Sequence, residues 1–439
     1  MTLQEMLDSR ALPDIAFPAT ATGWWKRHME LQQLLCQEAY GQLPPPPIHL
    51  SVNEVTVDER FCAGKAPLKK LRFTVTLPGG KFSFPVSLVI PRSKEPCPAI
   101  VLINFRPDVP DKYLPSEELA DRGYAVASFC YRDVTADNSD FHDGLAGVLG
   151  IDRSAPDAPG KLILWAWAAM RVLDHLRTLP QIDSRRIAVA GHSRLAKSAL
   201  LAAGLDTRFF AVLANEPGTL GGALLRGKKG EQLEDVCETF PHFFCPRLQE
   251  YVQREWEMPF DQHFLLALIA PRRLYVASAA MDLWNDPPSE FLCCKAADPA
   301  WRHWVFPDWS APTDCPSRAM CSAKARWAII FAPVNTTSAA TSGSNFWIFS
   351  TKPKKKAPKW VLFFIFSRAR FLVGLSNGVF CDIRFFFQKH HQVFRLDRTF
   401  RFYRQIQRYG VSAVSDYPAA VYFYSLLCQQ SLDPADRKG

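Results

Sequence analysis

Up to residue 302 the chain alternates short apolar runs with amphipathic stretches. Segments 99–104 (AIVLIN), 124–130 (YAVASFC), 210–215 (FAVLAN) and 273–279 (RLYVASA) are continuous apolar runs of strand length, the pattern of strands buried on both faces. Between them, 116–123 (SEELADRG) predicts a short helix ending at glycine. A long amphipathic helix is predicted over 162–179, stopped by Pro180, and another over 287–297, opened by proline. Upstream, 24–40 suits an amphipathic helix closed by Pro44–Pro47, and 71–77 and 81–90 flank Gly79-Gly80 as a hairpin. Alternating β and α with buried strands predicts an α/β fold, a mostly parallel sheet with helices on both faces.

Residues 186–203 (RIAVAGHSRLAKSALLAA) carry the strongest chemical signal. A β-branched run ends at Gly191, Ser193 follows at the turn, and an alanine-rich helix begins at once. This is the strand–turn–helix layout of a nucleophile elbow, the α/β-hydrolase arrangement. A serine hydroxyl is a weak nucleophile and needs a base plus backbone N–H groups that hold an oxyanion. Gly191 removes a Cβ where the turn is tightest. The usual second glycine is replaced by Leu195 and Ala196. The alternative role for Ser193 is a plain helix N-cap.

Composition sharpens the boundaries. The 439 residues, 48% hydrophobic, allow one large α/β domain with additions or a few smaller domains. No basic region followed by an apolar stretch opens the chain, and no apolar run reaches membrane-span length. Twelve cysteines without C-x-x-C spacing fit a reducing compartment, so the expected location is cytoplasmic. No cluster has metal-ligand spacing and no glycine loop suits a phosphate, so no metal or cofactor is expected. The net charge of +9 is uneven: residues 304–439 hold 19 Lys and Arg, 7 Asp and no Glu, while the first 303 balance at −3. Sixteen of the 32 phenylalanines also lie beyond residue 303. The basic charge therefore belongs to a segment of different character, and neither nucleic acid nor membrane is an expected partner.

At GHSRLAK (191–197) the chain resembles the glucuronoyl esterase family of carbohydrate esterases and its bacterial acetylxylan-esterase-like relatives. Segments 103–137, 240–244 (FPHFF), 259–279 and 282–291 (DLWNDPPSEF) resemble the same group, and the likeness spans about residues 24–302. The resemblance implies a serine esterase with a carbohydrate ester as substrate. Ser193 would be the nucleophile and Arg194 would lend its guanidinium to the oxyanion; otherwise Arg194 is a surface charge poorly placed against the helix dipole. Lys197 resembles the family lysine that bonds sugar hydroxyls, with an ordinary solvated lysine as the alternative. Glu216 and Asp282, each after a buried strand, are two candidates for the triad acid, Glu216 being favoured by ANEPGTLGGAL. Trp284 would line the sugar pocket or belong to the core. His192 is expected to pack under the elbow and His263 to be structural.

The catalytic histidine should follow the last strand, and His303, His390 and His391 lie outside every family-like segment. Residues 327–352 offer a reason. Suppose each codon is built from the third base of one present codon and the first two of the next. The segment then permits GYHLRTGEHDISRYEWEQFLDFLDK, which resembles the family's Gly-Tyr-His…Gly-x-His-Asp stretch. The key histidine codon straddles Asn335 and Thr336, and Pro353-Lys354 permits a stop. A frameshift near residues 302–304 is therefore expected. The organisation expected is an N-terminal helical segment at 1–45 and an α/β-hydrolase core at 46–303. Residues 304–352 would be a wrong-frame copy of the final strand and helix, and 353–439 a read-through tail. The sheet would then lack its last strand, and the chain as written would be inactive. The competing functions are a small-molecule acyl esterase and a dead sugar-binding or non-folding product.

Overall fold

The computed structural model describes residues 2–18, 20–111, 114–279 and 282–302, and beyond these only the backbone of short strands between 327 and 397. The chain runs through α1 (Leu3–Asp8), α2 (Ala21–Leu35), β1 (His49–Asp58), β2 (Leu68–Leu77), β3 (Gly80–Val89), β4 (Cys97–Asn104), α3 (Ser116–Asp121) and β5 (Ala125–Cys130). It continues with α4 (Gly144–Leu149), α5 (Lys161–Leu176), β6 (Ile182–His192), α6 (Arg194–Leu205), β7 (Ala211–Asn215), α7 (Leu233–Thr239), α8 (His263–Ala267), β8 (Arg273–Ala279) and α9 (Pro287–Ala297). The helix expected at 24–40 starts earlier, where the Thr20 side chain accepts from Gly23 N–H, and its last turn widens into a π-helical turn at Cys36–Tyr40.

One sheet organises the domain in the order β1-β2-β3-β5-β4-β6-β7-β8, with a further strand beyond β8. β1, β2 and β3 form an antiparallel meander whose tight hairpin pairs Leu77 with Gly80, and β3 joins β5 antiparallel. From β5 onward every pairing is parallel. The expected fold class is therefore the one found. Alternate residues of β4 enter different cores: Val101 and Ile103 join the large cluster with α5 and α6, while Ile100 joins a small one with Leu119 and Ala120 of α3. α5 is apolar on nearly every face because it is enclosed, packed on α6, β4 and the turn Pro241–Phe243.

The sheet does not stop at β8. The segment β9 (Trp327–Ala332) lies parallel to it, from Leu274 opposite Trp327 to Ala279 opposite Ala332. The expectation of a missing last strand is thereby corrected. A bare strand edge presents unpaired N–H and C=O groups, and the backbone of the apolar run WAIIFA pairs with them. The rest of the expected wrong-frame and read-through segments, apart from short strand assignments, lies outside the described residues.

Candidate active site

The parallel strands end together, and the loops leaving β6, β7 and β8 gather the candidate residues. Ser193 is the single residue between β6 and α6, at φ 56° and ψ −126°. Such a conformation costs a non-glycine residue about 1–3 kcal/mol and persists only where neighbours enforce it. Here Ser193 N–H donates to Asn215 O at 2.9 Å, and Ser193 O accepts from Ala196 N at 2.9 Å and Lys197 N at 3.2 Å. Gly191 is required, because a Cβ there would sit 2.2 Å from Leu195 O. The N-cap role is not taken up: the Ser193 side chain makes no capping bond to α6. The amides of Arg194 and Leu195 precede the first intrahelical bonds and sit beside the serine, where helix N-termini favour negative charge.

Arg194 is not a solvated surface charge. Its side chain is 25% exposed, with the guanidinium over the rings of Phe240 (4.8 Å) and Phe243 (5.2 Å) and Nη1 donating to Asp137. Asp137 also accepts from Tyr131 Oη at 2.8 Å and lies 3.1 Å from His242 Nε2. Burial alone would raise the Asp137 carboxyl, but His242, the Arg194 charge and the Tyr131 hydroxyl outweigh it and hold it below the ordinary carboxylate value. Asp137 and His242 lie in the family-like segments 103–137 and 240–244, and only the sequence distance between them hides the partnership.

Glu216 and Asp282 both come to the site. Glu216 directly follows β7, is buried, and adopts φ 50°, with its N–H donating to Ala277 O at 2.7 Å. Burial and the neighbouring Asp282 charge raise its carboxyl to about 7. Asp282, also buried, accepts from Asn285 Nδ2 at 2.8 Å. His192 departs from expectation. As the last residue of β6 it stands at the open end of the sheet, with its side chain 45% exposed. Its Nδ1 lies 2.9 Å from Asn215 Nδ2 and 3.8 Å from Glu216 Oε2. His263 is structural as expected, buried with Nε2 3.0 Å from Pro13 O. Among the described residues, no histidine is hydrogen-bonded to Ser193 Oγ. The side chains of His303, His390 and His391 lie outside them.

Lys197 is buried rather than solvated, and its Nζ donates to Pro217 O at 2.6 Å. Burial brings its ammonium down to about 8, against the raising influence of Glu231 and Glu290. Trp284 is not core: it is 55% exposed, its indole N–H 3.3 Å from Glu231 Oε1, next to exposed Leu283. Glu290 on α9 joins the site without any signal in the sequence. It is fully buried and pushed up to about 8, chiefly by burial, and it bonds Ser278 Oγ and Gly218 N–H. Among the described residues no group of three or more His, Cys, Asp or Glu could hold a metal, and no helix is long and apolar enough to cross a membrane.

With this geometry in view, the chain matches a family model described as glucuronyl esterase, fungi, over residues 73–304. It is 37% identical over 189 residues to carbohydrate esterase MZ0003 of an unknown prokaryotic organism, covering 42% of this chain and 44% of that protein. Against the 4-O-methyl-glucuronoyl methylesterase of Hypocrea jecorina (strain QM6a) it is 29% identical over 313 residues, 67% of this chain and 61% of the relative. The chain thus spans less than two thirds of the length of these curated relatives. A solved glucuronoyl esterase from Solibacter usitatus superposes with a TM-score of 0.64 at 27% identity, covering 76% of this chain and 96% of that one. A promiscuous CE15 esterase from the marine bacterial metagenome gives 0.59 at 27% identity, over 70% and 90% of the two chains.

Proposed function

Because the chain belongs to the glucuronoyl esterase family, we propose that it is built as a serine carboxylic ester hydrolase for a carbohydrate ester. The observation that carries this reading is Ser193 held in its strained turn beside the clamped Arg194. Ser193 Oγ would attack the ester carbonyl while a histidine base takes its proton. The tetrahedral oxyanion would be met by the Arg194 N–H and guanidinium, the alcohol would leave with the proton, and water would release the acid from the acyl-enzyme. Glu216 is the acid we assign to orient that histidine, with Asp282 beside it. The ester we propose is a glucuronoyl methyl ester, met by buried Lys197 and exposed Trp284 as the resemblance implies; an acetylated sugar or a small acyl ester is the competing substrate. The test is turnover of methyl glucuronate, acetylated xylose and a simple aryl acetate side by side by the frame-restored enzyme, with Ser193→Ala as the control. Preference for the aryl acetate would overturn the carbohydrate assignment.

The second reading concerns the base. We propose that the coding frame shifts near residues 302–304 and that the catalytic histidine is lost from the chain as written, leaving esterase activity near background. Glutamate ends at Glu290 and family likeness ends close by. Resequencing the locus should reveal one inserted or deleted base within a few codons of Arg302. Clean reads in the present frame, with peptides of 353–439 found in cells, would sink this reading. A cytoplasmic location is likewise proposed, supported by eight described cysteines that are all unpaired; cell fractionation tests it.

A further inference from the structure

One peptide unit beside the site is gripped at both of its polar ends. The carbonyl of Pro217 accepts from Lys197 Nζ at 2.6 Å, and the N–H of Gly218 donates to Glu290 Oε1 at 2.8 Å. These two groups belong to the same Pro217–Gly218 amide, which is trans, so its C=O and N–H point in opposite directions. Lys197 on α6 and Glu290 on α9 therefore hold it from opposite sides. Both are buried, and Glu290 is itself fastened to β8 through Ser278.

The turn needs such a restraint. Glu216 has φ 50°, a left-handed conformation that a non-glycine residue adopts at a cost, and Gly218 has φ 54°. Rotating the Pro217–Gly218 amide would let the turn relax, and Glu216 with it. Hydrogen bonds to charged or potentially charged groups are the stronger kind, and a buried amide left unpaired is costly. We infer that Lys197 and Glu290 are positioning residues that lock the Pro217–Gly218 amide and thereby hold Glu216 where a triad acid must stand. This rests on the reading of Glu216 as that acid, but the lock itself does not depend on turnover. It also gives Lys197 a task in the unliganded protein, separate from any contact with a sugar.

The experiment reads the amide directly in the full 439-residue chain. Pro–Gly occurs three times in the sequence, at 78–79, 159–160 and 217–218, so labelling proline with 13C at the carbonyl and glycine with 15N isolates three amide signals. Gly160, whose N–H bonds Tyr40 O at 3.0 Å, serves as an internal control. In Glu290→Leu and in Lys197→Met, Gly218 hydrogen exchange should accelerate by about tenfold or more while Gly160 is unchanged, the loss expected for one strong hydrogen bond. Glu290→Gln keeps an oxygen acceptor and should restore exchange to near the parent rate. Should Glu290→Leu fail to fold, Lys197→Met decides the matter on the same signal. Gly218 exchange unchanged in Lys197→Met, or as fast in Glu290→Gln as in Glu290→Leu, would overturn the lock. In the frame-restored enzyme Glu290→Leu should lower kcat with little change in KM, and Glu290→Gln should recover it. If exchange responds but kcat does not, the lock stands and Glu216 is not the acid.

Discussion

Arg194 and Asp137, 57 residues apart in the chain, form the ion pair that fixes the guanidinium of the residue that follows Ser193. The pairing is oriented twice over, by Tyr131 and His242 on the carboxylate and by Phe240 and Phe243 against the guanidinium. Asp137 engages Nη1, and among the described residues Nε and Nη2 keep no protein partner, so the fork retains donors for a developing oxyanion.

Removing Asp137 should therefore cost both function and stability. Asp137→Ala leaves a half-buried guanidinium without its anion, a change of about 3–5 kcal/mol for fully buried pairs and less here because Arg194 is partly exposed. In the frame-restored enzyme kcat should fall by roughly 10- to 1000-fold, as when an oxyanion donor is lost. The pH dependence follows from a carboxyl held below its ordinary value: its contribution is present above the unfolded value near 3.8 and is lost as pH falls through the lower folded value. Denaturant midpoints of the parent and Asp137→Asn should thus converge in acid. Parallel curves throughout would remove Asp137 from this role.

In the frame-restored enzyme Ser193→Gly should stabilise the protein while abolishing ester cleavage. Glycine tolerates φ 56°, so a strain of about 1–3 kcal/mol is relieved in part, offset by the greater freedom of glycine in the unfolded chain. Ser193→Ala keeps the Cβ and the strain and should gain less. Chemical denaturation of the three proteins measures the order; Ser193→Ala as the most stable would contradict it.

Glu216 and Asp282 can be told apart by turnover and by pH. In the frame-restored enzyme Glu216→Ala should reduce turnover of a methyl glucuronate ester much more than Asp282→Ala, and the reverse order would exchange their roles. Glu216 is raised from 4.5 to about 7 in the folded state, so its contribution is favourable below 4.5 and lost as pH rises through 7. Glu216→Gln should consequently gain stability relative to the parent across that window. Melting temperatures measured from pH 4 to 8 decide it.

Gly191→Ala should be among the most damaging single changes. Its added Cβ would lie 2.2 Å from Leu195 O and 2.8 Å from Ala196 N, backbone atoms of the elbow helix that cannot step aside. Low soluble yield, or loss of cooperative melting, is the expected outcome; a stable variant would mean that the elbow is more compliant than its packing indicates.

The parallel half of the fold was legible because its strands are buried on both faces and read as unbroken apolar runs, as AIVLIN in β4 does. β1 was not: HLSVNEVTVD mixes polar and apolar residues along an exposed outer strand, so no inward face announces itself. At the site, Ser193, Gly191 and both carboxylates follow from strand ends and turn chemistry. Glu290 carries no signal in the sequence because a glutamate inside PPSEFLCC resembles any first-turn acid of a helix, and only burial against Ser278 and Gly218 gives it a task. The exposure of His192 is not legible in the sequence, because residue spacing says nothing of which way the last residue of a strand turns once the sheet ends.

The Asp137 clamp has a consequence for the order in which the molecule assembles. Its contacts to Arg194 and His242 close sequence separations of 57 and 105 residues, and loops of that length form late because their closure entropy must be met before the contacts reward it. β6 and α6 can condense locally much earlier. The serine turn is therefore expected to form before the aromatic and acidic groups that orient its arginine are in place, and in stopped-flow kinetics Asp137→Asn is predicted to speed unfolding more than it slows folding.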